Sequence, residues 1–250
     1  MSSLARVLAI LDLFTEAHPL WHADAIAAAL NYTRPTAYRY IKGLVEAGYL
    51  QKATAGHYTL GARFIEFDYL LCNSDPVLLA AAPVMEDLTL RSGLDTVLTA
   101  MFRDRVIDTY RVHAKPSLKL AYGRGRPRPL FQGAAPKIIL AHLARTQAAR
   151  IYKAHAVEIA TLGLGSSWLD FRDQLTQWRR KGDYVSFEEV EPGVCAMATP
   201  VLNPNGEVVA ALALVWSPDS HDTVSLAPLR ASLVEACGRI GTRLAAAAGS

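Results

Sequence analysis

The apolar residues of the chain begin in a helical rhythm. Leu4, Val7, Leu8, Leu11 and Phe14 recur three and four apart, with Ser2 or Ser3 placed to cap the first turn. A second short helix is expected from about His22 to Leu30, where Ala25, Ile26, Ala29 and Leu30 form an apolar face. Asn31 and Tyr32 make a tight turn into a third helix over Thr33–Ala47. Thr33 is suited to the N-cap, Pro35 sits in the first turn where its missing N–H is not needed, and Gly48 supplies the stop. At about 100° per residue, Ala37, Ile41 and Leu44 share one face of this helix, while Pro35, Thr36, Arg39 and Lys42 lie on the other. Tyr49–Lys52 and His57–Leu60 then read as two short strands around Ala53–Gly56, a hairpin-like wing.

Two short helices joined by a tight turn, the second with a polar front, and a wing behind them make a winged helix-turn-helix over residues 1–60. Such a front suits a DNA major groove. A surface helix with solvated charges is the bland alternative, and the neighbouring elements weigh against it. Candidate DNA contacts are Arg34, Thr36, Tyr38, Arg39 and Lys42 on the helix, and Lys52 and His57 on the wing. Thr36, Arg39 and Lys42 would read or clamp the groove, and Arg34 would hold phosphate.

Beyond residue 60 the rhythm divides again. Residues 61–74 read as a helical linker, with Ala62–Cys72 helical and Asn73–Asp75 a break. Residues 75–250 form a second domain, which Pro76 opens with a helix to about Ser92. Strand-like runs follow at Thr96–Met101, Val106–His113 and Leu118–Tyr122. Helices are expected near Pro136–Ala144, Gln147–Ala156 and Trp168–Arg180, then strands at Tyr184–Phe187, Val194–Val201 and Val208–Trp216. Asn203–Gly206 is a turn, and a long helix runs from about Leu226 to Ala247. The fold class is therefore α+β, with an antiparallel sheet and helices against one of its faces.

Composition bounds the function. A 250-residue chain with 51% apolar residues and no low-complexity tract has the makings of two folded domains. No apolar run reaches the roughly 18 residues that span a bilayer. Cys72, Cys195 and Cys237 lack metal-ligand spacing, and a reduced, cytoplasmic setting is the default. The net charge of +3 is weak support for a nucleic-acid partner, because residues 1–60 carry five Lys/Arg against four Asp/Glu. Positioned contacts and dimerisation would have to supply what a basic patch supplies elsewhere. Charge concentrates instead in residues 103–153, where twelve Lys/Arg face only Asp104 and Asp108.

A series of short motifs resembles the isocitrate-lyase-regulator (IclR) family of bacterial transcription factors. In the head these are Thr36–Arg39, Gly48–Leu50 and Tyr58–Gly61; later come Pro129-Leu130, Lys137 with Ile138–Ala141, and Lys181–Tyr184. Glu188-Glu189, Gly193-Val194, Ala196–Val201 and Gly206–Val209 complete a series that covers nearly the whole chain in order. The resemblance implies a second domain of the GAF or PAS type that binds a small effector near residues 123–137. It implies a dimer or dimer of dimers on a palindromic double-stranded operator, with α-helical dimer surfaces in the first helix and the linker. Family pockets map here to Ala134, Ala135, Val194, Ala196, Ala213 and Val215, with Cys195 adjacent; Leu118, Leu120, Arg126 and Leu130 are further candidates. Pro136 replaces a common glycine, and Ala213 and Val215 stand where some carboxylate-binding members carry serines. A more apolar pocket follows, suited to an aromatic or hydrophobic organic acid and a catabolic operon.

The residues read by themselves allow that pocket. Gly123, Gly125 and Gly133 permit close backbone approach, and a helix opened by Pro136 could hold an anion on its N–H groups. Nucleophile-elbow, zinc-protease, dinucleotide and phosphate-loop motifs are missing, so no cofactor, metal or catalytic residue is expected. Glu188-Glu189 reads as a solvated strand edge rather than an acid/base pair. Arg124–Pro127 resembles an AT-hook core, but its place inside a folded domain favours a loop, from which Arg124, Arg126 or Arg128 could turn inward to an effector carboxylate. The rivals are a small-molecule enzyme with a non-functional helix-turn-helix, for which Cys195 is the candidate nucleophile, and an architectural DNA-binding protein using the Arg loop.

Overall fold

The computed structural model describes residues 2–220 and 225–248. The chain divides into two compact units, Met1–Ser74 and Asp75–Ser250. In the first, α1 (Ser3–Leu11) is capped by Ser2, whose hydroxyl accepts the Ala5 N–H at 3.2 Å. The two-residue strand β1 (Trp21–His22) leads into α2 (Ala23–Ala29) and α3 (Arg34–Glu46). Strands β2 (Leu50–Lys52) and β3 (His57–Leu60) form the wing, and α4 (Arg63–Ser74) closes the unit. Ile10, Ile26, Ile41, Leu44 and Leu50 fill the centre between α1, α2, α3 and β2. Each such side chain contributes about 1.5–3 kcal/mol on burial.

The turn out of α3 depends on two glycines. Gly48 adopts φ 78°, and the Tyr49 N–H returns to the Leu44 carbonyl at 2.9 Å. Gly61 lies so close beneath that a Cβ there would sit 2.1 Å from the Gly48 oxygen. The wing sheet has the order β1-β3-β2, with Trp21 opposite Tyr58 and His22 opposite His57. Two residues are too few to display an alternation, so β1 was invisible in the sequence pattern.

The second unit opens with α5 (Pro76–Ser92), which Asp75 caps and Gly93 ends at φ 68°. Strands β4 (Asp95–Phe102), β5 (Arg105–Val112) and β6 (Pro127–Arg128) precede helices α6 (Ala134–His142), α7 (Arg145–Thr161) and α8 (Trp168–Lys181). Strands β7 (Tyr184–Phe187), β8 (Cys195–Leu202) and β9 (Val208–Trp216) follow, then α9 (Leu226–Ala248). The six strands form one antiparallel sheet in the order β6-β5-β4-β9-β8-β7.

Helices cover both faces of this sheet, not one. Leu212, Leu214 and Trp216 pack with α5 and α9, while Ala211 and Ala213 pack with α6, α7 and α8. Strict alternation along a strand buried on both sides produces this division. The α6 side is lined by alanines 198, 211 and 213, small enough for a helix to approach closely. Leu118–Tyr122 is not a strand. Its backbone groups bond to side chains, with Arg111 donating to the Leu118 oxygen at 2.6 Å and the Ala121 N–H donating to Glu191 at 2.9 Å. The edge strand is β6 instead, opposite Val106 and Ile107. Among the described residues no helix is long and apolar enough to cross a membrane.

Candidate functional site

In the first unit, α3 turns Ala37, Tyr40, Ile41 and Leu44 into the core and leaves Arg34, Pro35, Tyr38, Arg39 and Lys42 exposed. Thr33 occupies the N-cap position without a side-chain capping bond; its hydroxyl donates to the Thr36 hydroxyl at 2.9 Å. The exposed cations are lightly held. Arg34 pairs with Asp24 at 3.1 Å, Lys42 with Glu46 at 3.7 Å, and Arg39 lies 5.2 Å above the Tyr40 ring. Exposed pairs of this kind contribute about 0–1 kcal/mol, so phosphate can replace the carboxylate at little cost. On the wing, Lys52 is exposed opposite Tyr58, and the His57 ring meets the His22 ring edge-on at 4.3 Å. All seven predicted DNA contacts thus lie on α3 or the wing sheet.

The second unit holds a small cavity of about 40 Å³ between the α6 face of the sheet, the start of α6 and the segment 188–193. Val97, Ala196, Ala213 and Val215 supply an apolar sheet wall. Gly133 is the N-cap of α6 at φ 84°, and a Cβ there would lie 2.9 Å from Val190 Cγ2. Pro136 is the third helical residue rather than the first, so the leading N–H groups belong to Ala134 and Ala135. Both residues are buried and line the cavity, and neither N–H has a hydrogen-bond partner among the described residues. Ser186 is only 5% exposed, lines the same cavity, and has a hydroxyl without a partner among the described residues. Two helix-start N–H groups and a hydroxyl facing an apolar wall can hold a small anion with an apolar body.

Charged groups surround this wall. The Glu189 carboxylate accepts the Gly133 N–H at 2.9 Å, Lys137 Nζ at 2.6 Å and the Tyr184 hydroxyl at 2.9 Å. Lys137 is buried and lies 4.4 Å from the centre of the Tyr184 ring. Burial pushes the Tyr184 phenol above its ordinary range although Lys137 pulls it down, so it serves Glu189 as an O–H donor. Arg128 binds Asp108 at 2.7 Å, and Asp108 also accepts the Thr99 hydroxyl at 2.8 Å. Glu191 accepts the Ala121 N–H through both carboxylate oxygens at 2.9 and 3.0 Å.

Of the predicted pocket residues, the cavity brings together Leu120, Ala134, Ala135, Val194, Ala196, Ala213 and Val215. Leu118, Arg126, Leu130 and Cys195 lie outside its lining. Cys195 is one residue out of phase and packs on the α5 and α9 face, where burial raises its thiol pKa. Leu130 is buried among the α6–α8 residues. Arg126 stacks 5.1 Å from the Tyr122 ring and donates to the Ala121 oxygen, and the arginine that reaches the cavity is Arg128. Glu189 and Glu191 were missed. The strand that would have sent adjacent glutamates to opposite faces ends at Phe187, and Glu188 turns the chain at φ 53°. The signal available in the sequence was the acidic run of Glu188, Glu189 and Glu191 just before the Gly193 turn.

Residues 71–241 match the bacterial transcriptional regulator IclR C-terminal family, and residues 3–53 match the IclR helix-turn-helix domain. The chain is 28% identical over 238 residues to the transcriptional regulator XynR of Escherichia coli, covering 94% of each chain. It is 27% identical over 235 residues to the Pca operon regulatory protein of Acinetobacter baylyi, covering 89% of this chain and 81% of that one. A crystal structure of an IclR homologue from Microbacterium hydrocarbonoxydans, complexed with 4-hydroxybenzoate, superposes with a TM-score of 0.77 at 22% identity, over 98% of this chain and 100% of that one. These relatives are regulators, not enzymes, which removes the reading of Cys195 as a nucleophile. The chain belongs to the IclR family of DNA-binding bacterial transcriptional regulators.

Proposed function

We propose that the protein is a cytoplasmic homodimer, or dimer of dimers, that binds a palindromic operator of a catabolic operon and responds to a small aromatic or hydrophobic organic acid. The two α3 helices enter successive major grooves about 34 Å apart. Thr36, Arg39 and Lys42 read or clamp the groove, Tyr38 and Arg34 flank them, and Lys52 and His57 act from the wing. Exposed apolar residues support the oligomer: Leu4 and Leu8 on α1, and Ile65, Tyr69, Leu70 and Leu71 on α4, which buries no residue of its own. Exposed apolar residues clustered on a helix in this way mark a candidate protein interface.

One observation carries the effector half. The unpartnered N–H groups of Ala134 and Ala135 and the Ser186 hydroxyl face a wall of Val97, Ala196, Ala213 and Val215. The carboxylate lies on the helix start and the apolar body lies on the wall; the 4-hydroxybenzoate complex of the Microbacterium homologue supports an aromatic acid. Titration calorimetry tests this with benzoate, 4-hydroxybenzoate, pyruvate and glyoxylate. Tighter binding of either aromatic acid is expected. Preference for pyruvate or glyoxylate would contradict it.

A further inference from the structure

Glu189 sits where a ligand's acid group belongs. Its carboxylate takes a helix-start N–H from Gly133, an ammonium from Lys137 and a phenol O–H from Tyr184, the donors that a free carboxylate would seek. The neighbouring N–H groups of Ala134 and Ala135 remain free one and two residues along the same helix start. We propose that Glu189 is an internal competitor for the effector's carboxylate, displaced from Gly133 and Lys137 when an acid binds, so that ligand occupancy releases the segment 188–193. This rests on the cavity being the acid effector's site.

Space and charge both require a displacement. A cavity of about 40 Å³ holds about three waters and no aromatic ring. The side chains that close it, Val190 and Glu191, come from the same segment as Glu189. Lys137 is already matched by Glu189 and Arg128 by Asp108, so a second carboxylate placed beside Glu189 would face a like charge in a poorly solvated site. A neutral amide can offer Lys137 a carbonyl oxygen but no negative charge to replace that of Glu189. Glu189 therefore also sets specificity, admitting acids and rejecting their amides.

The segment is built to let go as a unit. Besides Glu189, its polar hold on the rest of the cavity among the described residues is the Glu191 carboxylate on the Ala121 N–H, and Val190 adds apolar packing against Gly133. At its base, Glu188 at φ 53° and Gly193 at φ 77° form a closed turn, with the Gly193 N–H donating to Glu188 Oε1 at 2.6 Å. That turn can pivot intact while the two outer carboxylates exchange partners.

Calorimetry and amide hydrogen exchange on the full chain test this, with benzoate, 4-hydroxybenzoate and phenylacetate as acids and benzamide as the neutral control. In the native protein an acid should bind, benzamide should not, and exchange across residues 188–193 and at Ala121 should accelerate about tenfold on binding. Glu189→Gln should show that fast exchange without ligand and bind the acids about tenfold more tightly. Tyr184→Phe, which removes one hold on Glu189 and no charge, should move both readouts in the same direction by a smaller factor, and it carries the test if the first variant does not fold. Equal acid binding by native and variant proteins with unchanged exchange would overturn the proposal while leaving the acid site in place. Failure of every acid to bind either protein would overturn the acid site and this proposal with it.

Discussion

At Asp95 a buried carboxylate shows how single residues hold the effector unit together. Burial raises its pKa, but hydrogen bonds from Arg111, the Ala114 N–H and Ser117 outweigh that and hold it below the ordinary carboxylate range. A depressed acid contributes stability that is present above its unfolded pKa of about 3.9 and is lost as pH falls through the folded value. Asp95→Asn should therefore cost about 3 kcal/mol at pH 7, because the Arg111 guanidinium stays behind unpaired, and the difference should shrink below about pH 4. Urea unfolding at pH 7 and pH 3 measures both; an equal deficit at the two values would contradict the ion pair's role. Other residues were legible only when regular structure fixed their direction. Ala196, Ala213 and Val215 could be placed because β8 and β9 alternate without interruption, whereas Glu189 could not, because the left-handed turn at Glu188 breaks the alternation it was judged by.

Among the elements, α3 was the most legible, because its burial follows the 3.6-residue period from Ala37 to Leu44. The wing and the paired glycines at its base were visible as turn chemistry. What failed were elements defined by partners rather than by pattern: β1 exists through β3, and Leu118–Tyr122 has strand-like alternation but satisfies its backbone through Arg111 and Glu191. The second helical layer failed similarly, since a strand covered on both faces shows the same apolar run whatever covers it. The function proposed for α3 rests on its exposed front. Arg39→Ala should weaken operator binding by about 1–3 kcal/mol if the side chain reads a guanine, with the loss concentrated at one base position. Fluorescence anisotropy across single-base operator variants gives the answer. A uniform loss across all variants would assign Arg39 to the phosphate backbone instead.

At the scale of the whole molecule, a head of nearly balanced charge has to gain affinity by doubling its contacts. The exposed Ile65 and Tyr69, 73% and 68% accessible on α4, offer the means. Replacing both with glutamate should convert the proposed dimer to a monomer in light scattering and lower operator affinity at least tenfold, with each head still folded; a dimer that persists with both changes would place the interface elsewhere. In the proposed function the two units act together: α3 reads an operator, and an acid in the second unit alters that reading. The most direct test is a nuclease footprint of the full chain on the DNA upstream of its own gene, repeated with 4-hydroxybenzoate, benzoate and pyruvate. A palindromic footprint with half-sites about one helical turn apart, whose strength changes with an aromatic acid and not with pyruvate, is the predicted result. Sequence-blind protection, or a footprint indifferent to every acid that binds the cavity, would contradict it.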